Sequence, residues 1–188
     1  MLVIGNGQSR ARIDLSRIND EKIGCNAIFR DENVDHLICC DRRMVKQALD
    51  FNEINIYTRE RWYKEFDSLD VLPLPNLPYK GNDRRDDPFN WGSGPYALLL
   101  GAFLSNTVDI IGFDLYGEQG KINNIYSGTP GYNDKDSDQV DYSYWDYQIA
   151  KIFKHYPHTR FNIYNTADWI CPKGWNFANV SVDNIDNL

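Results

Sequence analysis

Met1-Leu2-Val3-Ile4-Gly5-Asn6-Gly7-Gln8-Ser9 is a short apolar run that breaks at glycine. Residues 1–4 have the length and composition of a buried strand, and Gly-x-Gly behind a strand marks a tight turn. Such a turn lets backbone N–H groups approach a phosphate or sugar. Asn6 adds an amide that donates and accepts, and Ser9 is placed to cap a following helix. The full dinucleotide pattern G-x-G-x-x-G is absent, because Arg10 stands where the third glycine belongs.

Beyond this run, strands and helices alternate. Residues 10–18 read as a weak helix with Ile13, Leu15 and Ile18 as its apolar contacts. Residues 22–29 and 36–40 read as strands, 42–51 as a helix with Met44, Val45, Ala48 and Leu49 on one stripe, and 54–57 as a strand. Residues 59–66 read as a short helix. Pro73, Pro75, Pro78 and Pro88 make 69–90 a surface excursion, since prolines at this density exclude a helix or central strand. Pro95 sits in the first turn of an almost wholly apolar helix, and 108–112 reads as a central strand ending at Gly112. Residues 116–141, rich in Gly, Asn and Asp, form a lid loop. A helix with Trp145, Ile149, Ile152, Phe153 and Tyr156 on one face follows, then a strand over 160–164. The tail is expected to fray over 180–188. The predicted architecture is α/β: a single Rossmann-like domain spanning 1–188, with a mostly parallel sheet and helices on both faces.

Bulk properties narrow the function classes. With 42% hydrophobic residues, 188 residues suffice for one sizeable core. A net charge of -7 opposes binding to nucleic acid. No stretch reaches the roughly 20 apolar residues that span a bilayer, and the apolar run at 1–4 is too short for a signal peptide. A cytoplasmic protein is expected. Cys25, Cys39, Cys40 and Cys171 show no Cys-x-x-Cys spacing and read as buried free thiols. Aromatics at 14% favour wide, rigid contact surfaces, which suit a sugar or nucleotide site and a homo-oligomer.

Three segments carry candidate chemistry. The first is Gly5-Asn6-Gly7-Gln8-Ser9. The second is Trp91-Gly92-Ser93-Gly94-Pro95, small residues at the N-terminus of an apolar helix, which suit an anion or a plain cap. The third is Gly112-Phe113-Asp114-Leu115-Tyr116, behind a buried strand, where ligands of open α/β sheets bind.

These segments resemble the bacterial sialyltransferases of glycosyltransferase family 42. That family shows G-N-G-P-S and an I-D-x-S-R-L-like segment, matched here by Gly5 to Ser9 and Ile13-Asp14-Leu15-Ser16-Arg17-Ile18. Cys25-Asn26, Ser93-Gly94, Ile110 to Tyr116, Cys171-Pro172 and Ala178-Asn179 follow in the family's order. The resemblance implies metal-independent transfer of a sugar from a CMP-linked donor to a hydroxyl of a glycan or small-molecule acceptor, without a cofactor. Carried over by position, Asn6 and Asn26 bind the nucleotide side of the donor and Ser93 lies near the donor sugar's carboxylate; Gly5, Gly7, Ser9 and Gly94 complete the binding candidates. Gly112 and Asp114 line the nucleotide pocket, Tyr116 stabilises the departing phosphate, and Tyr126 is the counterpart of a lid tyrosine. The family's general base is a histidine. No histidine lies between His36 and His155 here, and Asp141 stands nearest the expected position, where burial raising its pKa would make it a base. Asn90 stands near a family basic residue.

The opening and the G-x-D segment also resemble the MptE-like pyrophosphokinases, which need magnesium held by carboxylates. Asp134, Asp136 and Asp138 are the candidates, against a solvated loop. A protein that keeps the fold and the nucleotide but has lost the chemistry is the remaining alternative.

Overall fold

The computed structural model describes residues 1–51, 54–66 and 71–188. The strands are β1 (Leu2–Ile4), β2 (Lys22–Cys25), β3 (His36–Ile38), β4 (Asn55–Thr58), β5 (Val71–Pro73), β6 (Thr107–Ile111), β7 (Arg160–Asn165) and β8 (Val180–Asn184). They form one wholly parallel sheet in the order β5-β4-β3-β2-β1-β6-β7-β8. β1 lies at the centre, with Val3 opposite Ile23 on one side and Ile110 on the other.

Both faces are covered, as the continuous apolar strands require. Val3, Ile23, Ile38, Val108, Ile110, Phe161 and Ile163 point to one face and pack under α3 (Ser93–Leu104) and α4 (Ser143–His155). Leu2, Ile4, Leu37, Ile56 and Val71 point to the other, against α1 (Arg42–Ala48), α2 (Glu60–Phe66) and several 3₁₀ turns. Each fully buried Leu or Ile contributes about 1.5–3 kcal/mol over exposure. α3 is buried on nearly every side except at Phe103 and Leu104, and α4 buries one stripe through Ile149, Ile152 and Phe153. Among the described residues no helix is long and apolar enough to cross a membrane.

Several expectations change. The helix over 10–18 is instead two 3₁₀ turns, Gln8–Arg12 and Leu15–Arg17, separated by extended Ile13 and by Asp14, whose carboxylate takes the Ser16 N–H and starts the second turn. The strand over 22–29 stops at Cys25, where Asn26 turns left-handed (φ 53°) and starts a 3₁₀ turn. Leu69 and Asp70 of the proline-rich excursion lie outside the described residues. Its Val71–Pro73 forms β5, at the sheet edge that tolerates proline. The tail does not fray: β8 pairs with β7 from Phe161↔Val180 to Asn165↔Asn184, and Ile185 is fully buried behind it.

Candidate functional site

The strand order reverses between β1 and β6. β1 to β5 run outward on one side, and β6 to β8 on the other. Connections leave such a point in opposite directions and open a crevice at the C-terminal strand ends. The loops behind β1 and β6 therefore lie together. Gly5 N–H donates to the Ile111 carbonyl and Gly7 N–H to that of Gly112, both at 2.8 Å.

Their contact explains three glycines. A Cβ on Gly5 would overlap the Gly112 carbonyl, and one on Gly7 the Asp114 carboxylate. Gly112 itself has φ +68°. Asp114, 4% exposed, accepts from Ser9 N–H (2.9 Å), from Ser9 Oγ and from Asn165 Nδ2 (3.3 Å). The N–H groups expected to face an anion are thus committed. Gly7 gives to Gly112, Gln8 to Asn123 Oδ1 (2.7 Å), Ser9 to Asp114 and Arg10 to Gly7. Gly5 to Ser9 is a wall braced from below, not a free anion cradle.

That wall bounds a cleft of about 150 Å³. Gly5, Asn6, Gly7, Asn26, Ser93, Gly94, Gly112 and Asp114 all line it. Ser9 stands behind, bonded to Asp114 and lining a neighbouring cavity. Asn6 is 8% exposed; its Nδ2 donates to the Cys25 carbonyl (3.1 Å), which fixes the amide orientation and leaves Oδ1 buried without a partner. An unpaired buried acceptor costs about 1–3 kcal/mol, so a ligand donor there is worth having. Opposite, α3 begins at Gly92 with no side-chain cap. Among the described residues no protein group accepts from the Ser93 or Gly94 N–H, while Ser93 Oγ accepts from Cys40 N–H at 3.0 Å. The positive end of a 12-residue helix therefore opens on the cleft.

Two lining residues hold a costly backbone conformation: Asn26 with φ 53° and Leu115 with φ 65°. Asparagine tolerates the left-handed region; leucine does not, and such strain collects at binding sites. The lid supplies Asn123 and Asn124, and α4 supplies Trp145 and Ile149, none of which the sequence singled out for the site. Ile125 N–H donates to the Asn6 carbonyl (2.9 Å), and Asn123 bridges Gln8 N–H to the Tyr116 carbonyl. The 116–141 loop is thus packed against the β1 loop. A cavity of about 310 Å³ under it shares Asn26, Leu115, Asn123, Asn124 and Trp145 with the cleft.

The catalytic candidates do not assemble. Asp141 is exposed and accepts from Ser143 N–H at 2.9 Å. That bond and one from the Ser143 hydroxyl hold its carboxyl below the usual range, the opposite of what a buried base requires. Asp141→Asn is therefore expected to leave nucleotide affinity and any turnover within about twofold of the parent, as checked by calorimetry and a release assay. Tyr126 does not line the cleft. Its buried hydroxyl accepts from Arg10 (2.6 Å) and donates to Asp31, and burial raises its pKa. Tyr116 donates to the Ile170 carbonyl (2.7 Å) and accepts from Ile170 N–H (2.9 Å), so it reaches a phosphate only by releasing that strand of backbone. Of the residues lining the cleft, Cys25 and Asp114 are the ionisable ones, and burial pushes the Cys25 thiol up to about 12. All four cysteines are free. Asp134, Asp136 and Asp138 do not converge: Asp138 is bound by Lys121 at 2.9 Å, and no group of three His, Cys, Asp or Glu among the described residues is placed to hold a metal ion.

Arg59, which nothing in the sequence marked, sets the far wall. It donates to the carbonyls of Cys40 (3.3 Å), Pro88 (3.2 Å), Phe89 (2.5 Å) and Trp91 (2.8 Å). One guanidinium thereby ties the end of β3 and the proline-rich excursion to the residue before Gly92-Ser93-Gly94. Arg59→Ala is expected to lower stability by about 2 kcal/mol in urea denaturation, and Arg59→Lys by less, since an ammonium cannot span the same carbonyls.

Comparison of the chain with protein-family models, characterised proteins and solved structures finds no match.

Proposed function

We propose that the switch-point cleft holds the nucleotide part of a nucleotide-sugar, with a CMP-linked donor favoured, and that the chain transfers the sugar to a hydroxyl of a glycan or small-molecule acceptor. The observation that carries this reading is the convergence of three separate segments, Asn6, Asn26 and Ser93-Gly94, on one cleft beside β1 and β6. Asn6 Oδ1 suits a ligand N–H or O–H donor, and the uncapped start of α3 suits an anionic group. Phe113, Pro95 and Ile149 give apolar surface for a base or ribose face. The choice of cytidine and of glycosyl transfer rests on the resemblance to family 42. The free cysteines agree with a cytoplasmic setting.

One observation favours a second reading, binding without transfer. The two ionisable residues that line the cleft are a neutral buried thiol and a carboxylate already accepting three hydrogen bonds. A base would have to come from the lid after movement, or from the acceptor itself.

Thermal stabilisation by CMP, CDP, UDP, GDP and ATP, with and without Mg²⁺, tests the binding claim. CMP at 100 times its Kd should stabilise by about 2.7 kcal/mol without metal. An ATP response that requires Mg²⁺ would support the pyrophosphokinase reading instead. No response to any nucleotide would sink both. Release of CMP from a CMP-sugar in the presence of acceptor then separates transfer from binding alone.

A further inference from the structure

A further cavity, of about 610 Å³, adjoins the cleft at Asp114 and takes no residue of α3 into its lining. It shares Gly7-side structure with the cleft only through Asp114 and Asn123, and it has a different chemistry. Trp169 lies on its wall, fixed by an indole N–H bond to the Asp114 carbonyl (3.0 Å) and by its packing on Trp175. Tyr116 is fixed too: both hydrogen-bonding functions of its hydroxyl are used by the Ile170 backbone, and its ring leans on Tyr142 with centroids 5.7 Å apart. What these residues offer the cavity is rigid ring surface. Around them stand the exposed carboxylates of Glu118, Asp136 and Asp168 and the exposed amide of Gln8, while the amides of Asn123 and Asn165 are already engaged within the protein.

Fixed aromatic faces beside carboxylates and amides are the chemistry that recognises a polyhydroxylated ligand. The C–H face of a sugar ring carries partial positive charge and stacks on the negative face of an aromatic ring, while carboxylates and amides accept from and donate to its hydroxyls. The volume falls in the range of small-ligand sites. The acids oppose a phosphate: Glu118, Asp136 and Asp168 offset Arg12, Lys121 and Lys135 on the same rim, and Lys121 is also held by Asp138. We propose that this cavity is the acceptor site and binds an oligosaccharide, presenting a hydroxyl at the Asp114–Asn123 partition to the donor on the other side. The assignment of the word acceptor rests on the glycosyltransferase reading; the saccharide site itself does not.

The test uses the full chain on an array of neutral and acidic oligosaccharides that includes lactose, maltotriose and chitotriose. The best binder is then measured by calorimetry against the parent and an Asp136→Asn, Asp168→Asn double variant, whose changes are both exposed and leave folding intact. Binding that falls at least tenfold in the double variant, with CMP-induced stabilisation changed less than twofold, is the expected result. No saccharide retained above the level of the double variant, or equal affinity in both proteins, would overturn the proposal. Saccharide binding lost in the double variant but no CMP response in either protein would sustain this site and overturn the donor reading.

Discussion

Asp114→Ala is expected to destabilise the chain by about 3 kcal/mol and to remove its response to nucleotide. The carboxylate is buried and accepts from Ser9 N–H, Ser9 Oγ and Asn165 Nδ2. Deleting it leaves those donors buried without partners, each at a cost of about 1–3 kcal/mol less whatever water recovers. It also loosens the Gly7–Ser9 turn, which then keeps only the Gly7 N–H bond to Gly112 beneath it, and with that turn the cleft wall and the loop pinned to it at Asn6 and Gln8. Asp114→Asn keeps the shape and one acceptor oxygen and should lose less. Urea midpoints at constant slope measure the first effect, and a nucleotide titration of the surviving fold measures the second.

Gly5→Ala and Gly94→Ala are expected to act in opposite directions. At Gly5 the new methyl would meet the Gly112 carbonyl and the Phe113 ring, and the carbonyl belongs to backbone that cannot swing aside. The β1 and β6 loops would be forced apart, at a cost of about 3 kcal/mol or more. At Gly94 the nearest atom to a Cβ is Phe113 Cε1 at 3.6 Å, an ordinary contact, and the residue lies in the first turn of α3. Alanine there should stabilise by up to about 1 kcal/mol through helix propensity. No packing demand within the chain accounts for glycine at 94, yet the position lines the cleft. The same change is therefore expected to weaken nucleotide binding at least fivefold while raising the melting temperature. Unchanged affinity would place the ligand away from the start of α3.

The strands β1, β2 and β6 are readable because they are apolar runs ended by glycine or asparagine, whereas the pairing of β1 with β6 joins segments more than 100 residues apart and has no local signal. Asn6, Ser93 and Asp114 are legible as cleft candidates because each stands behind a strand or at a helix start, where an open α/β sheet puts its ligands; Asn26, inside a stretch that reads as strand over 22–29, is marked by the family resemblance alone. What failed had no local signal. β8 reads Val180-Ser181-Val182-Asp183-Asn184, a half-polar edge strand whose partner lies elsewhere in the fold. Asp141 is close in sequence to the lid's end, but whether its carboxylate turns to the cleft or to the Ser143 N–H is decided by the first turn of α4. Arg59 gained its role from four carbonyls spread over 40 to 91. The committed donors of Gly7, Gln8 and Ser9 depend on Gly112, Asn123 and Asp114, each more than 100 residues away.

The central claim is that a nucleotide occupies the cleft between the β1 loop and the start of α3. Amide NMR spectra of the isotopically labelled chain, recorded during titration with CMP, address it residue by residue. The prediction is saturable shifts of the Asn6 and Asn26 side-chain amides and of the Ser93 and Gly94 N–H groups, with β8 unmoved. Shifts confined to other surfaces, or none up to millimolar CMP, would contradict it.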